Sequence, residues 1–231
     1  MLPEIDPAEA AKETAAEAAA ALVEDGMLVG LGSGTTRPHL VAVLGRRHLR
    51  ITGVPTSRET EAQARQLGIA VTEPANQALD LAIDGADEIE TSTMRLIKGH
   101  GGALLREKIV AEASRRFVVV ADGSKLVERL GALAPLPVEV ERFGYLRTAS
   151  RVAELGCTPK LRPGADGGPF ITDGGNFLLD CTGFAPILDP FTLERSLRAI
   201  AGVVGTGLFL LPVEQAIVGM ADGSVQVLRP R

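Results

Sequence analysis

Leu81-Ala-Ile-Asp84-Gly-Ala-Asp87-Glu-Ile89, with Lys98-Gly-His-Gly-Gly-Ala-Leu-Leu-Arg-Glu-Lys108 a few residues on, carries the main clue to the fold. The apolar run Leu81 to Ile83 ends on Asp84, so a buried strand there delivers Asp84 and Asp87 to its carboxyl end, where open α/β sheets bind ligands. A second apolar run, Met94 to Ile97, ends on Lys98 and opens into Gly99-His-Gly-Gly102. A helix predicted over Gly102 to Ser114 carries Glu107, close enough in sequence to face the same crevice. An acid, a base and a cation are therefore available together.

Working outward, Asp6-Pro-Ala-Glu9 predicts a helix start, with Asp6 as cap, Pro7 at the first helical position and Glu9 at the capping-box position. That helix runs on through alanines to Glu24 and stops at Asp25-Gly26. Met27 to Leu31 reads as a strand, Gly32 to Thr36 as a turn and Pro38 to Leu44 as a helix. Ile51 to Val54, Ile69 to Thr72, Leu79 to Ile83 and Phe117 to Ala121 are further strand-like runs, with helical segments at Ser57 to Leu67 and Gly102 to Ser114. This alternation predicts an α/β fold, a Rossmann-like and mostly parallel sheet with helices on both faces.

The rhythm changes at Gly131-Ala-Leu-Ala-Pro-Leu-Pro137, which sets a catalytic domain over 1–131 apart from a smaller α+β (ferredoxin-like) insert over 132–206. The insert begins with strand Val138 to Val140 and continues with helix Tyr145 to Leu155. A hairpin of Phe170 to Thr172 with Phe177 to Cys181, turning at Asp173-Gly-Gly-Asn176, and a helix from Phe191 to Ile200 complete it. Leu208 to Leu211, Ala216 to Val218 and Val225 to Leu228 are short strands expected to return to the main sheet, making 207–231 its C-terminal part.

Composition narrows the function. The 231 residues are 45% hydrophobic and carry a net charge of −5, with basic residues scattered singly or in pairs. No basic stripe of the kind nucleic-acid binders present is visible, and phosphate on a small molecule is the better-matched anion. No run approaches the roughly 18 apolar residues of a membrane span, and the N-terminus lacks the apolar core of a secretory signal. Two cysteines, Cys157 and Cys181, read as core thiols of a reduced, cytoplasmic protein. His39 and His48 stand alone, without the spacing of a metal site, and there is no Gly-x-Ser-x-Gly elbow.

Two motifs remain as candidates for chemistry. Gly30-Leu-Gly-Ser-Gly-Thr-Thr36 lies between a strand and a helix, where glycines let backbone N–H groups approach an anion and Ser33, Thr35 and Thr36 add hydroxyls. It matches neither the dinucleotide fingerprint nor the Walker loop. A monophosphate cradle and an ordinarily capped βα turn are its two readings, and Lys125, just past a neighbouring strand end, reads either as a phosphate ligand or as a solvated lysine. For Asp84 and Asp87 a plain turn is the structural alternative. The chemical one is that two neighbouring carboxylates push one pKa upward, which suits proton exchange near neutrality. Lys98 beside the glycine turn suits a developing oxyanion, and Glu107 the base.

Taken together, Gly32 to Thr36, Asp84 to Ile89 and Lys98 to Lys108 resemble ribose-5-phosphate isomerase, type A, in order and spacing. Pro135-Leu-Pro-Val-Glu139, Thr172 to Asn176, Leu188-Asp-Pro190, Gly202-Val-Val204 and Gly207-Leu-Phe209 extend the resemblance over nearly the whole chain. It implies interconversion of D-ribose 5-phosphate and D-ribulose 5-phosphate in the non-oxidative pentose phosphate pathway, with no cofactor and no metal, by a homo-oligomer (dimer or tetramer). By position, Glu107 matches the general base that moves a proton between C2 and C1 through a cis-enediolate. Lys98, Asp84 and Asp87 match the residues of ring opening, charge stabilisation and proton transfer on O1 and O2. Ser33, Gly34, Thr35 and Thr36, with Lys125 and Lys12, match substrate and phosphate contacts, and Gly85, Ala86, Gly99, His100 and Gly101 fall in the substrate-binding turns. His100 stands where the family has glycine, which strains the turn if that position needs a positive φ. Leu211 to Gln215 also departs from the family pattern. The competing expectations are a related sugar-phosphate isomerase or deaminase, which would recruit a histidine for ring opening, and a sugar-phosphate-binding regulator, which would carry an added DNA-binding helix pair.

Overall fold

The computed structural model describes residues 6–230, so the part of the N-terminal reading that falls on Met1 to Ile5 lies outside the described residues. Asp6 caps the first helix, α1 (Pro7–Ala20), by accepting the Ala8 N–H. Glu9 does not close a capping box: its carboxylate binds Lys12 and His39. Strand β1 (Leu28–Leu31) leads through a glycine-rich turn to α2 (Arg37–Arg46), and β2 (Thr52–Pro55) leads to α3 (Arg58–Gln66), capped by Ser57. Then come β3 (Ala70–Val71), β4 (Leu81–Asp84), β5 (Glu88–Glu90), β6 (Leu96–Ile97), α4 (Leu104–Glu112), β7 (Phe117–Asp122) and β8 (Leu126–Val127). The later elements are β9 (Leu136–Val140), α5 (Tyr145–Ala153), β10 (Thr158–Leu161), β11 (Phe177–Thr182), α6 (Pro190–Arg198), β12 (Val203–Thr206), β13 (Leu208–Phe209), β14 (Gln215–Gly219) and β15 (Val225–Leu228).

The main sheet has seven strands in the order β15-β14-β7-β4-β1-β2-β3, all parallel to their neighbours except β15. Alternate residues enter opposite cores, as a two-residue period requires. Leu81, Ile83, Val118, Val120 and Ile217 pack under Ala15, Ala19, Leu40 and Leu44 of α1 and α2. Ala82, Val119, Ala121, Ala216 and Val218 pack with Val110 and Ala111 of α4. Because both faces are covered, β4 and β7 are buried along their whole length, which is why they read as unbroken apolar runs rather than as alternation.

A second sheet, β10-β11-β9-β12, is antiparallel throughout and arises from the order β9, α5, β10, β11, α6, β12, the split βαβ arrangement. The expected hairpin is only partly formed. Thr172 N–H donates to Asn176 O and Ile171 bridges Phe177, but β11 lies between β9 and β10, and in β10 Pro159 and alternating exposure disguise an edge strand. Leu208 to Leu211 does not join the main sheet. Its strand, β13, pairs with β6 in a third small sheet, β13-β6-β5-β8, which fixes the segment leading to Lys98. Cys157 and Cys181 are buried and free. Among the described residues no helix is long and apolar enough to cross a membrane.

Candidate functional site

The strand order of the main sheet reverses between β1 and β4, and a cleft of about 310 Å³ opens beyond the carboxyl ends of those strands and of β7. Its walls are Ser33 to Thr36 after β1, Gly85 to Asp87 after β4, Lys98 to Gly101 after β6, Glu107 on α4, and Ala121, Asp122 and Lys125 around the end of β7.

Gly32 allows the first two walls to meet. A Cβ there would lie 2.1 Å from Asp84 Oδ1 and 2.6 Å from its Cα, so no larger residue fits without moving backbone. The close approach lets the Ser33 N–H donate to Asp84 Oδ1 at 3.1 Å, and the Gly85 N–H donates to the same oxygen at 2.7 Å. Lys98, delivered by the small third sheet, places Nζ 3.0 Å from Asp84 Oδ2 and 3.4 Å from Glu107 Oε2, and donates to Gly85 O at 2.6 Å. Its ammonium also lies 5.4 Å from the centre of the Phe209 ring, a favourable cation–π distance. Glu107, in the first turn of α4, accepts the Ser33 hydroxyl on Oε1. Its second oxygen, Oε2, has no hydrogen-bond donor among the described residues.

Asp84, Lys98 and Glu107 are all at most 5% exposed, so their charges interact strongly. Burial, then the Glu107 charge, pushes Asp84 up to about 7, against the pull of Lys98 and the Gly85 N–H. Burial opposes the Lys98 charge too, but Asp84, Glu107 and Asp87 outweigh it and hold the ammonium above its ordinary value. Several carboxylates thus surround one cation, an arrangement that keeps a proton mobile near neutrality.

At the phosphate-like end, the Thr36 side chain makes no capping hydrogen bond to α2, Gly34 has φ +87°, and half-buried Lys125 closes a 3₁₀ turn, Gly123–Lys125, after β7. Free hydroxyl and amide donors at a helix start, with a lysine opposite, suit an anion.

The pattern of residues agrees with what the chain resembles. The model of the ribose 5-phosphate isomerase A (phosphoriboisomerase A) family matches residues 52–223. The chain belongs to the ribose-5-phosphate isomerase A family. It is 48% identical over 223 residues to ribose-5-phosphate isomerase A of Gloeobacter violaceus, covering 95% of this chain and 96% of that one. Against the enzyme of that name from Thermomicrobium roseum it is 50% identical over 219 residues, covering 93% and 92%. The solved structure of ribose 5-phosphate isomerase A from Methanocaldococcus jannaschii superposes with a TM-score of 0.90 at 39% identity, covering 95% of this chain and 98% of that one.

In this member of the ribose-5-phosphate isomerase A family, the residues singled out in the sequence gather at one cleft, with Asp84 reaching it through its ion pair with Lys98 rather than lining it, and with two further adjustments. The carboxylate that raises Asp84 is Glu107, not Asp87; Asp87 instead accepts the His100 N–H at 3.0 Å. Lys12 pairs with Glu9 at 2.6 Å and is not among the residues lining the cleft. His100 is not strained, because the left-handed turn falls on Gly99 (φ +113°) and His100 has no positive φ. Asp122 and Phe209 were not anticipated. Asp122 closes the apolar run of β7 as Asp84 closes that of β4, a signal open to the same reasoning; the contact of Phe209 with Lys98 crosses between distant segments and leaves no local trace.

Proposed function

We propose that the chain interconverts D-ribose 5-phosphate and D-ribulose 5-phosphate in this cleft by metal-free proton transfer, the reaction of its family. The observation that carries the assignment of roles is Glu107: one oxygen is fixed by Ser33, and the other is buried, accepts no hydrogen bond among the described residues and has the Lys98 ammonium 3.4 Å away in the same cleft. A carboxylate so held is a general base with a vacant lone pair.

In the aldose-to-ketose direction Glu107 takes the C2 proton, leaving a cis-enediolate, and returns it to C1. One proton moves from O2 to O1 over the same interval, so no electron leaves the substrate. Lys98 stabilises the developing oxyanion, and Asp84 and Asp87 serve ring opening and the proton exchanges at O1 and O2. Gly34, Thr35, Thr36 and Lys125 hold the phosphate, while Gly85, Ala86, Gly99, His100 and Gly101 enclose the sugar; Ser33, expected among the phosphate contacts, instead spends its N–H on Asp84 and its hydroxyl on Glu107. We place the reaction in the cytoplasm within the non-oxidative pentose phosphate pathway, with the chain acting as a homo-oligomer built of a 1–131 catalytic domain, a 132–206 insert and a C-terminal return. Turnover of ribose 5-phosphate by the purified protein, followed in the presence of EDTA, tests this reading. Steady formation of ribulose 5-phosphate supports it; no turnover overturns it.

A further inference from the structure

Arg162 lies just past β10, on the second sheet, and does not line the cleft. Its main chain is fixed at both ends: N–H donates to Leu178 O at 2.8 Å and C=O accepts the Phe170 N–H at 2.8 Å. Its side chain is 12% exposed and spends its planar fork on two targets. Nε and Nη2 bind the two oxygens of Asp180, at 3.0 and 2.5 Å. Nη1 donates to the carbonyls of both Gly99 and His100, at 2.9 and 3.0 Å. Four of the five donors of the guanidinium are thereby used, a pattern the point charge of lysine cannot reproduce.

The two carbonyls belong to the turn that follows Lys98. In a planar trans peptide the C=O and the next N–H point in opposite directions. Drawing Gly99 O toward Arg162 turns the His100 N–H the other way, and it donates to Asp87. Drawing His100 O to the same nitrogen turns the Gly101 N–H away from Arg162. That N–H donates to no other described residue, and Gly101 lies on the cleft wall against Gly34 and the Ser33 hydroxyl that holds Glu107. We infer that Arg162, held by Asp180, is a positioning residue that aims the Gly101 N–H at the oxygens of the reacting carbons and fixes Asp87 through His100. The inference rests on the isomerase reading of the cleft and adds to it a requirement on the second sheet: it sets the geometry of a turn it does not share.

The test compares the full-length parent with Arg162→Lys and Asp180→Asn. Ribose 5-phosphate turnover is measured per folded molecule, and inorganic phosphate binding in parallel. Misaiming one oxyanion donor costs less than the hundredfold or more that follows its removal, so kcat is expected to fall about tenfold in Arg162→Lys. KM and the affinity for inorganic phosphate stay near parental values, because the phosphate loop does not touch Arg162. In Arg162→Ala, added guanidinium chloride at millimolar concentration restores part of kcat and ammonium chloride does not. Parental kcat in both Arg162→Lys and Asp180→Asn overturns the inference, as does a loss of kcat matched by an equal loss of phosphate binding, which marks a merely structural role. An inactive parent overturns the isomerase reading and the inference with it.

Discussion

The Ser33 hydroxyl donates a hydrogen bond to Glu107 Oε1, joining the turn after β1 to the first turn of α4 across 74 residues of sequence. The bond engages one oxygen of Glu107 and leaves the other in no hydrogen bond among the described residues, 3.4 Å from the Lys98 ammonium. It also ties together two walls of the cleft, the turn after β1 and the start of α4.

Glu107→Gln keeps the shape and the acceptor for Ser33 but cannot take a proton. Its kcat is expected to fall at least about a hundredfold, with KM nearly unchanged. Steady-state turnover in a coupled assay measures both; parental kcat removes Glu107 from the role of base.

Ser33→Ala removes the tether and leaves the base. With Glu107 free to leave its aligned position, kcat should drop on the order of tenfold to a hundredfold, and the melting temperature should fall as well, because a buried carboxylate loses its hydrogen-bond donor. Single-turnover measurement isolates the chemical step, and a loss seen in KM alone assigns Ser33 to binding.

Thr36→Val keeps the volume of the side chain and deletes the uncapped hydroxyl at the start of α2. One lost hydrogen bond to a charged phosphate is worth about 1.5 kcal/mol, which raises KM roughly tenfold and spares kcat. A change in kcat with KM constant rules out phosphate contact by Thr36.

Asp84 bears on stability as a function of pH. Its folded value near 7 lies above its ordinary value of 3.8, so between the two the folded protein holds a proton that the unfolded chain has released. The stabilisation from that proton is complete below 3.8 and disappears as pH rises through 7. Across about pH 5 to 8 the melting temperature of the parent should therefore fall relative to that of Asp84→Asn, and level off above that range. A constant gap between the two curves sinks the expectation.

Much of the architecture is legible in the sequence where burial on both faces produces long apolar runs, as in β4 and β7, and where those runs end on Asp84 or Asp122. The candidate cleft is legible for the same reason, since its side chains follow strand ends at short range. Strands β5 and β8 are not, because two or three residues such as Leu126–Val127 carry no period. β13 is misassigned because a buried dipeptide gives no sign of which sheet will receive it. The distinction between Asp87 and Glu107 as the neighbour of Asp84 is likewise tertiary: proximity along the chain favours Asp87, and the crossing of α4 over the sheet favours Glu107.

The place of β14 between β7 and β15 has a consequence for how the chain is made. Residues of the whole second sheet are synthesised between β7 and its partner, so as the chain leaves the ribosome β7 stays an open edge of a nearly complete parallel sheet. Its run Phe117-Val-Val-Val120 is then the segment most open to pairing with another nascent chain, until β14 emerges and covers it.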